Sequence, residues 1–142
     1  NCMEFNDILR LPLFNICDVD CVLFLWVTDP FLEKSFELIK RWGFTYKTVA
    51  FTWVKTTQTN KYFKGMGYWV RKNPEMCLLA TKGKPKRLSK NVEQLIVSPR
   101  RKHSQKPDCV RDRIVELCGD LPRIELFARQ KVKGWDCWGN EV

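Results

Sequence analysis

One stretch constrains this chain more than any other. Cys21-Val-Leu-Phe-Leu-Trp-Val27 is seven apolar residues without a break, and it stops at Thr28-Asp29-Pro30. Seven is far short of the roughly 18 apolar residues a membrane-spanning helix needs, and no longer apolar run exists in the chain. It is a good length for a strand, and unbroken rather than alternating apolarity predicts a strand buried on both faces of a parallel sheet. A helix should follow. Asp29 is placed to cap it, Pro30 suits its first turn, and Phe31, Ser35, Leu38, Ile39 and Trp42 recur on one face. Gly43 stands where a left-handed terminating residue belongs. Strand, cap, amphipathic helix and stop together make a βα unit.

The alternation continues downstream. Tyr46 to Val54, rich in Thr, Val and aromatics, predicts a second strand, Glu75 to Ala80 a third and Leu95 to Val97 a short fourth. Pro107 opens a helix with Val110, Ile114, Leu117 and Cys118 at helical spacing, and Gly119 closes it. Arg123 to Ala128 reads as a last strand, and Gly134 to Val142 as a Trp- and Gly-rich tail. Lys55 to Pro74 carries Gly65, Gly67, Asn73-Pro74 and the aromatics Tyr62, Phe63, Tyr68 and Trp69, too dense a set for an inert linker. With 142 residues, 44% of them hydrophobic, the chain can close one core, so a single domain over 1–142 is expected, of the open α/β class. In such sheets ligands collect beyond the carboxyl ends of strands, which puts Arg129 at a binding edge and Lys106 beside a helix start suited to an anion.

Charge narrows the partner. Of the 25 Lys and Arg residues, nine lie between Lys82 and Lys106, against the single anion Glu93. That concentration creates a field suited to a polyanion, so nucleic acid is expected to be the partner, with Arg100, Arg101 and Lys102 as backbone contacts. No amphipathic basic helix accompanies the run, which argues against a membrane surface. Seven cysteines form no Cys-x-x-Cys pair, and four (Cys21, Cys77, Cys109, Cys118) lie in apolar or periodic segments. A reducing compartment fits this pattern, and no signal-like leader opens the sequence, so an intracellular location, cytoplasmic or nuclear, is expected. One histidine and the unmatched Cys17-x-x-x-Cys21 pair give no zinc spacing, so no metal is expected.

Common catalytic and nucleotide motifs fail. No phosphate loop of the Walker type is present, and Gly65-Met66-Gly67 lacks the third glycine of a dinucleotide fingerprint. His103 has no Ser or Cys partner and reads as a loop histidine. Glu125, inside a strand, should be ion-paired to a neighbouring Arg, because an unpaired buried carboxylate costs several kcal/mol or neutralises.

Six stretches occur here in one order: Val22-Leu-Phe-Leu-Trp-Val-Thr28, Gly67-Tyr-Trp69 with Glu75, Thr81-Lys-Gly-Lys-Pro85, His103-Ser-Gln-Lys-Pro-Asp108, Glu125-Leu-Phe-Ala-Arg129, and Gly134-Trp135 leading to Trp138-Gly-Asn140. Taken together over essentially the whole chain, they resemble the adenine-N6 methyltransferases typified by the catalytic subunit of the messenger-RNA adenosine methyltransferase, especially short bacterial and phage members. The resemblance implies a Rossmann-like methyltransferase sheet, mostly parallel with an antiparallel pair and helices on both faces. It also implies transfer of a methyl group from S-adenosylmethionine to the N6 amine of adenine in DNA or RNA. By that likeness Lys106 lies by the cofactor's methionine carboxylate, Arg129, Asn140 and Glu141 by its ribose, and Phe127 supplies an aromatic wall. Glu75 and the Gly67-Tyr68-Trp69 turn match positions flanking the target-base pocket, where Tyr68 and Trp69 would stack a displaced base. Family members often carry histidine directly before Lys-Pro-Asp; this chain has Gln105, so no role passes to His103. The family's Asp-Pro-Pro-aromatic signature is absent. Its nearest match, Asp29-Pro30-Phe31, reads as a helix cap and first turn. The expectation is therefore a fragment that begins after its first strand and catalytic loop, with no catalytic residue assigned. A homo- or hetero-dimer is compatible with the resemblance. Two other readings are a non-catalytic nucleic-acid-binding subunit of the same fold and a generic α/β nucleotide-binding domain.

Overall fold

The computed structural model describes residues 3–67, 69–102 and 105–142. The chain divides into two compact units, Asn1–Lys86 with Glu93–Pro99, and Arg87–Val92 with Arg100–Val142. Among the described residues no helix is long and apolar enough to cross a membrane.

The first unit holds a short helix α1 (Phe5–Leu9), strand β1 (Cys21–Val27), helix α2 (Leu32–Arg41) and strands β2 (Thr45–Thr56), β3 (Pro74–Lys82) and β4 (Leu95–Pro99). The strands are ordered β1-β3-β2-β4. β3 runs antiparallel to both neighbours and β2 pairs parallel with β4, so β1, β2 and β4 share one direction and β3 opposes them. This mixed sheet with helices is the α/β class that the periodicity predicts.

Two local expectations are corrected. Among the described residues β1 is not a doubly buried strand of a parallel pair: it stands at one end of the strand order, pairs there only with the antiparallel β3, and has Val27 buried and its other residues half-buried. Its apolarity serves packing on the sheet face, where Phe24 stacks on Phe51 at 6.0 Å and Trp26 meets Trp53 edge-on at 6.4 Å. An apolar run reports how much nonpolar surface a strand covers, and it is silent on the direction of the neighbour. Asp29 does not cap a helix with its side chain. Asp29–Phe31 forms a 3₁₀ turn in which the Phe31 N–H donates to the Thr28 carbonyl at 3.0 Å, and α2 begins only at Leu32. The backbone closes the turn that the carboxylate was expected to close, and Pro30 sits in it as expected.

The rest of α2 follows its pattern. Ser35, Leu38, Ile39 and Trp42 are buried, and Gly43 has φ +86. The Trp42 indole N–H donates to the Ile8 carbonyl at 3.3 Å and so fixes α1, a helix with no sequence signal strong enough to read. Phe51, Trp53, Cys77, Leu78, Ala80 and Ile96 are buried on the two faces of the sheet, each large apolar side chain contributing about 1.5–3 kcal/mol. Cys77 behaves as a small hydrophobe. Burial, then the neighbouring Cys17 thiol, pushes the Cys21 thiol up to about 11.

The second unit contains helix α3 (Cys109–Cys118) and a two-stranded parallel sheet of β5 (Ile124–Leu126) and β6 (Asp136–Trp138). The residues read as an aromatic tail thus include a strand, and the strand expected over Arg123–Ala128 is shorter because Phe127 turns to φ +57. Gly119 ends α3 at φ +93, and a Cβ there would lie 2.5 Å from Leu88, whose N–H donates to the Leu117 carbonyl at 2.8 Å.

Candidate cofactor and nucleic-acid site

β5 and β6 pair in the register Ile124↔Asp136, Glu125↔Cys137 and Leu126↔Trp138, and the Ala128 N–H continues the ladder to the Trp138 carbonyl at 3.0 Å. Their carboxyl ends therefore lie side by side, and the residues that follow each strand form one edge. Gly139 makes that edge possible. Its φ is +152, and an added Cβ would stand 3.0 Å from the Phe127 Cα and the Ala128 nitrogen, backbone atoms that cannot move aside. On the edge, the Phe127 ring is 48% exposed and meets Trp138 edge-on at 5.4 Å. Arg129 Nε lies 3.7 Å from Glu141 Oε2, and Asn140, next to Glu141 in sequence, is exposed. Four of the sequence-derived cofactor residues, Phe127, Arg129, Asn140 and Glu141, are thus brought to the ends of two parallel strands. A half-exposed pair at 3.7 Å is worth less than about 1 kcal/mol, so both groups can turn to a polar ligand at little cost.

Lys106, the fifth, is half-buried in the segment before α3. Asp108 occupies the helix's first boundary position, and its carboxylate is taken by Arg101 at 2.7 Å and Arg111 at 3.2 Å. The hydrogen bond from Arg101 holds the Asp108 carboxyl below the usual carboxylate range. Arg111 also reaches Glu125 at 2.8 Å, which gives that strand carboxylate the arginine partner expected for it. Among the nucleic-acid contacts proposed from charge, Arg100 and Lys102 are exposed, whereas Arg101 is committed to Asp108. Among the described residues no three His, Cys, Asp or Glu side chains gather as a metal centre would require.

In the first unit, Glu75 is buried at the start of β3, opposite Trp53 of β2. Its carboxylate pairs with Lys55 at 2.6 Å, the two side chains being 10% and 21% exposed. The Lys55 ammonium also lies 5.4 Å from the Trp53 ring, and the Trp53 indole N–H donates to the Ser98 carbonyl at 3.1 Å. The sequence reading missed Lys55 and Trp53. The available signal was their spacing of two on one strand, which puts them on the same face. Trp69 is 97% exposed, on the surface of the Lys55–Pro74 loop. Tyr68 and His103 lie outside the described residues.

Comparison with known proteins places these features in one lineage. The chain is 38% identical over 142 residues to the type II methyltransferase M.MunI of a Mycoplasma species, covering 99% of this chain and 58% of that protein. It is 35% identical over 127 residues to a putative N(6)-adenosine-methyltransferase MT-A70-like protein of Medicago truncatula, covering 85% of this chain and 20% of the relative. Human N(6)-adenosine-methyltransferase catalytic subunit METTL3 is 32% identical over 142 residues, 96% of this chain and 24% of its own length. The chain thus spans little more than half of M.MunI and about a fifth to a quarter of the other two. The MT-A70 family model matches residues 1–141, through both units and the β5–β6 edge, and the chain belongs to the MT-A70 family.

Proposed function

We propose that this chain serves S-adenosylmethionine-dependent methylation of the N6 amine of adenine in DNA or RNA, and that the β5–β6 edge seats the methyl donor. The observation that carries the reading is the convergence of Phe127, Arg129, Asn140 and Glu141 at the carboxyl ends of two parallel strands, held by the close approach at Gly139. The family match over 1–141 supports treating the two units as one methyltransferase domain of Rossmann-like type with helices on both faces.

The donor set fits the ligand's chemistry. A ribose diol offers two hydroxyls, which the Glu141 carboxylate can accept and the Arg129 guanidinium and Asn140 amide can donate to. Phe127 presents an apolar face to a flat purine, and the Lys106 ammonium answers a carboxylate. When bound, S-adenosylmethionine supplies an electrophilic methyl group on sulfur. The chain's own contribution is positioning, since an amine whose lone pair is aimed at that carbon needs little general-base help. In this reading Glu75, fixed by Lys55, flanks the target base and accepts from its exocyclic amine. Asp29-Pro30-Phe31 has no catalytic role in it. Nucleic acid is the partner, an intracellular compartment accords with the cysteine pattern, and assembly as a homo- or hetero-dimer is compatible.

Isothermal titration with S-adenosylmethionine tests the proposal. Binding heat is expected, with affinity weakened about tenfold or more in Arg129→Ala and Lys106→Ala, because each removes a charged hydrogen-bond donor. No heat with the unaltered chain overturns the reading. Heat without methyl transfer to an adenine-containing oligonucleotide would instead favour the non-catalytic nucleic-acid-binding subunit.

A further inference from the structure

The proposed donor site draws on two stretches of the second unit. Lys106 precedes α3, whereas Phe127, Arg129, Asn140 and Glu141 stand at the ends of β5 and β6. A ligand with a carboxylate at one end and a purine at the other needs both stretches at a fixed separation. The β5–β6 ladder holds the second stretch together. The first has local backbone bonds of its own, from the Gln105 N–H to the Lys102 carbonyl at 2.8 Å and from the Val110 N–H to the Pro107 carbonyl at 3.3 Å.

Arg111 is bonded to both. From the first turn of α3 its Nη1 donates to Asp108 Oδ1 at 3.2 Å, and its Nε donates to Glu125 Oε1 of β5 at 2.8 Å. Each acceptor lies two residues from a donor-site residue, since Asp108 follows Lys106 and Glu125 precedes Phe127. Neither link is slack. Between Lys106 and Asp108 stands the buried Pro107, whose ring fixes φ. Glu125 pairs with Cys137 in the middle of the ladder, and the Ala128 N–H holds the chain just past Phe127 to the Trp138 carbonyl at 3.0 Å.

A planar guanidinium that donates to two carboxylates fixes angle as well as distance. As a source of stability the two pairs are weak, because both carboxylates keep a third or more of their surface in water. Arg123 provides the contrast. It is exposed to the same 18% as Arg111, yet its Nη1 donates to Asp120 at 2.8 Å and to the Leu121 carbonyl at 2.9 Å, acceptors within three residues of it. Arg123 staples one turn, whereas Arg111 spans from a helix start to a strand.

We infer that Arg111 is a positioning residue for the methyl donor: it sets the separation between the Lys106 stretch, which takes the ligand's carboxylate, and the β5–β6 edge, which takes its ribose and purine. The inference rests on the proposed donor site and adds the side chain that makes one site of its two halves. Arg111 touches no part of the ligand. It spares the ligand the ordering of the two halves, and such preorganisation appears as affinity.

S-adenosylhomocysteine and 5′-methylthioadenosine tell the halves apart, because they share adenine, ribose and a thioether sulfur, and only the first carries the amino-carboxylate end. Isothermal titration of the full chain with each ligand tests the inference. Arg111→Met is expected to weaken S-adenosylhomocysteine binding on the order of tenfold and 5′-methylthioadenosine binding less than about twofold, since the edge remains while its separation from Lys106 is released. Glu125→Gln keeps an acceptor for the Arg111 Nε and should retain most of the affinity for both ligands. Arg123→Met, a loss of equal burial, should show no preference between them. Circular dichroism checks folding, and should Arg111→Met fail to fold, Arg111→Lys carries the test with a smaller loss of the same selectivity, because an ammonium lacks the fork. Equal losses for the two ligands, or no loss of either, overturn the inference and leave the donor reading standing. Binding of S-adenosylhomocysteine but not 5′-methylthioadenosine by the unaltered chain also overturns it, since the edge would then be no half of its own. Binding of neither ligand overturns the donor reading and the inference together.

Discussion

The chain carries two cation-rich segments, and they present their charge in opposite ways. Lys61–Lys72 lies wholly in the first unit, on an anchored loop whose four cations stand among exposed Tyr62, Met66, Trp69 and Val70. The run from Lys82 to Lys106 has more than twice as many cations, but it is divided between the units: Lys82, Lys84 and Lys86 belong to the first, and Arg87, Lys90, Arg100, Arg101, Lys102 and Lys106 to the second. Several of these are already engaged. Arg101 is bound to Asp108, and Lys82 lies 5.2 Å from the Phe14 ring. Charge count measures the field a segment can raise, whereas fold decides which charges an incoming phosphate can use.

The strongest test of that contrast concerns what anchors each segment. Lys55 and Glu75 form a pair that is mostly buried at the two ends of the aromatic loop, whereas Arg101 and Asp108 pair near the surface. Lys55→Met is expected to destabilise the first unit by about 3 kcal/mol, since it leaves a carboxylate largely out of water without its ammonium. Arg101→Met should cost less than about 1 kcal/mol. Urea denaturation followed by circular dichroism measures both, and equal losses would erase the distinction between anchored and superficial pairing.

A smaller effect is expected within the second segment. Lys102→Gln should reduce the salt slope of nucleic-acid binding by up to about 0.7–0.9, the share of one phosphate. Arg101→Gln should reduce it less, because that guanidinium must first leave Asp108. A larger effect at Arg101 would mean that the ion pair opens freely and that position along the run matters more than engagement.

The smallest effect is a titration. Asp108 has its folded pKa lowered by the Arg101 hydrogen bond, so its contribution to stability is present above the ordinary carboxylate range and is lost as pH falls through the folded value. An NMR titration of the Asp108 carboxyl should give a midpoint below 3.8 and move upward in Arg101→Gln. A midpoint unmoved by the substitution would assign the shift to Arg111 instead.

Much of the fold was legible because its signals are local. The helical spacing of Ser35, Leu38, Ile39 and Trp42, the stop at Gly43 and the apolar core of β2 and β3 follow from residues within a few positions of one another. β6 was not legible, since Asp136-Cys-Trp138 is too short to show alternation and is a strand only because β5 lies beside it. Asp29 illustrates the reverse failure: its residue type suits a cap, but a backbone carbonyl closed the turn first. The motifs named the residues of the β5–β6 edge, and the register explains why they act together. Lys55 escaped notice because its partner Glu75 lies on another strand, and Trp69 matched a pocket position in sequence while its exposure places it on a surface loop.

By itself the sequence determined where the chain may be regular, where it must turn and which chemical groups it can offer, because periodicity, φ preference and residue type are properties of neighbours. Only the tertiary structure decided that β1 faces an antiparallel partner, that Arg111 rather than another cation answers Glu125, and that Gly139 brings Phe127, Arg129 and Glu141 to a common edge. Those outcomes depend on groups distant in sequence meeting at hydrogen-bond and van der Waals range, which no local pattern encodes.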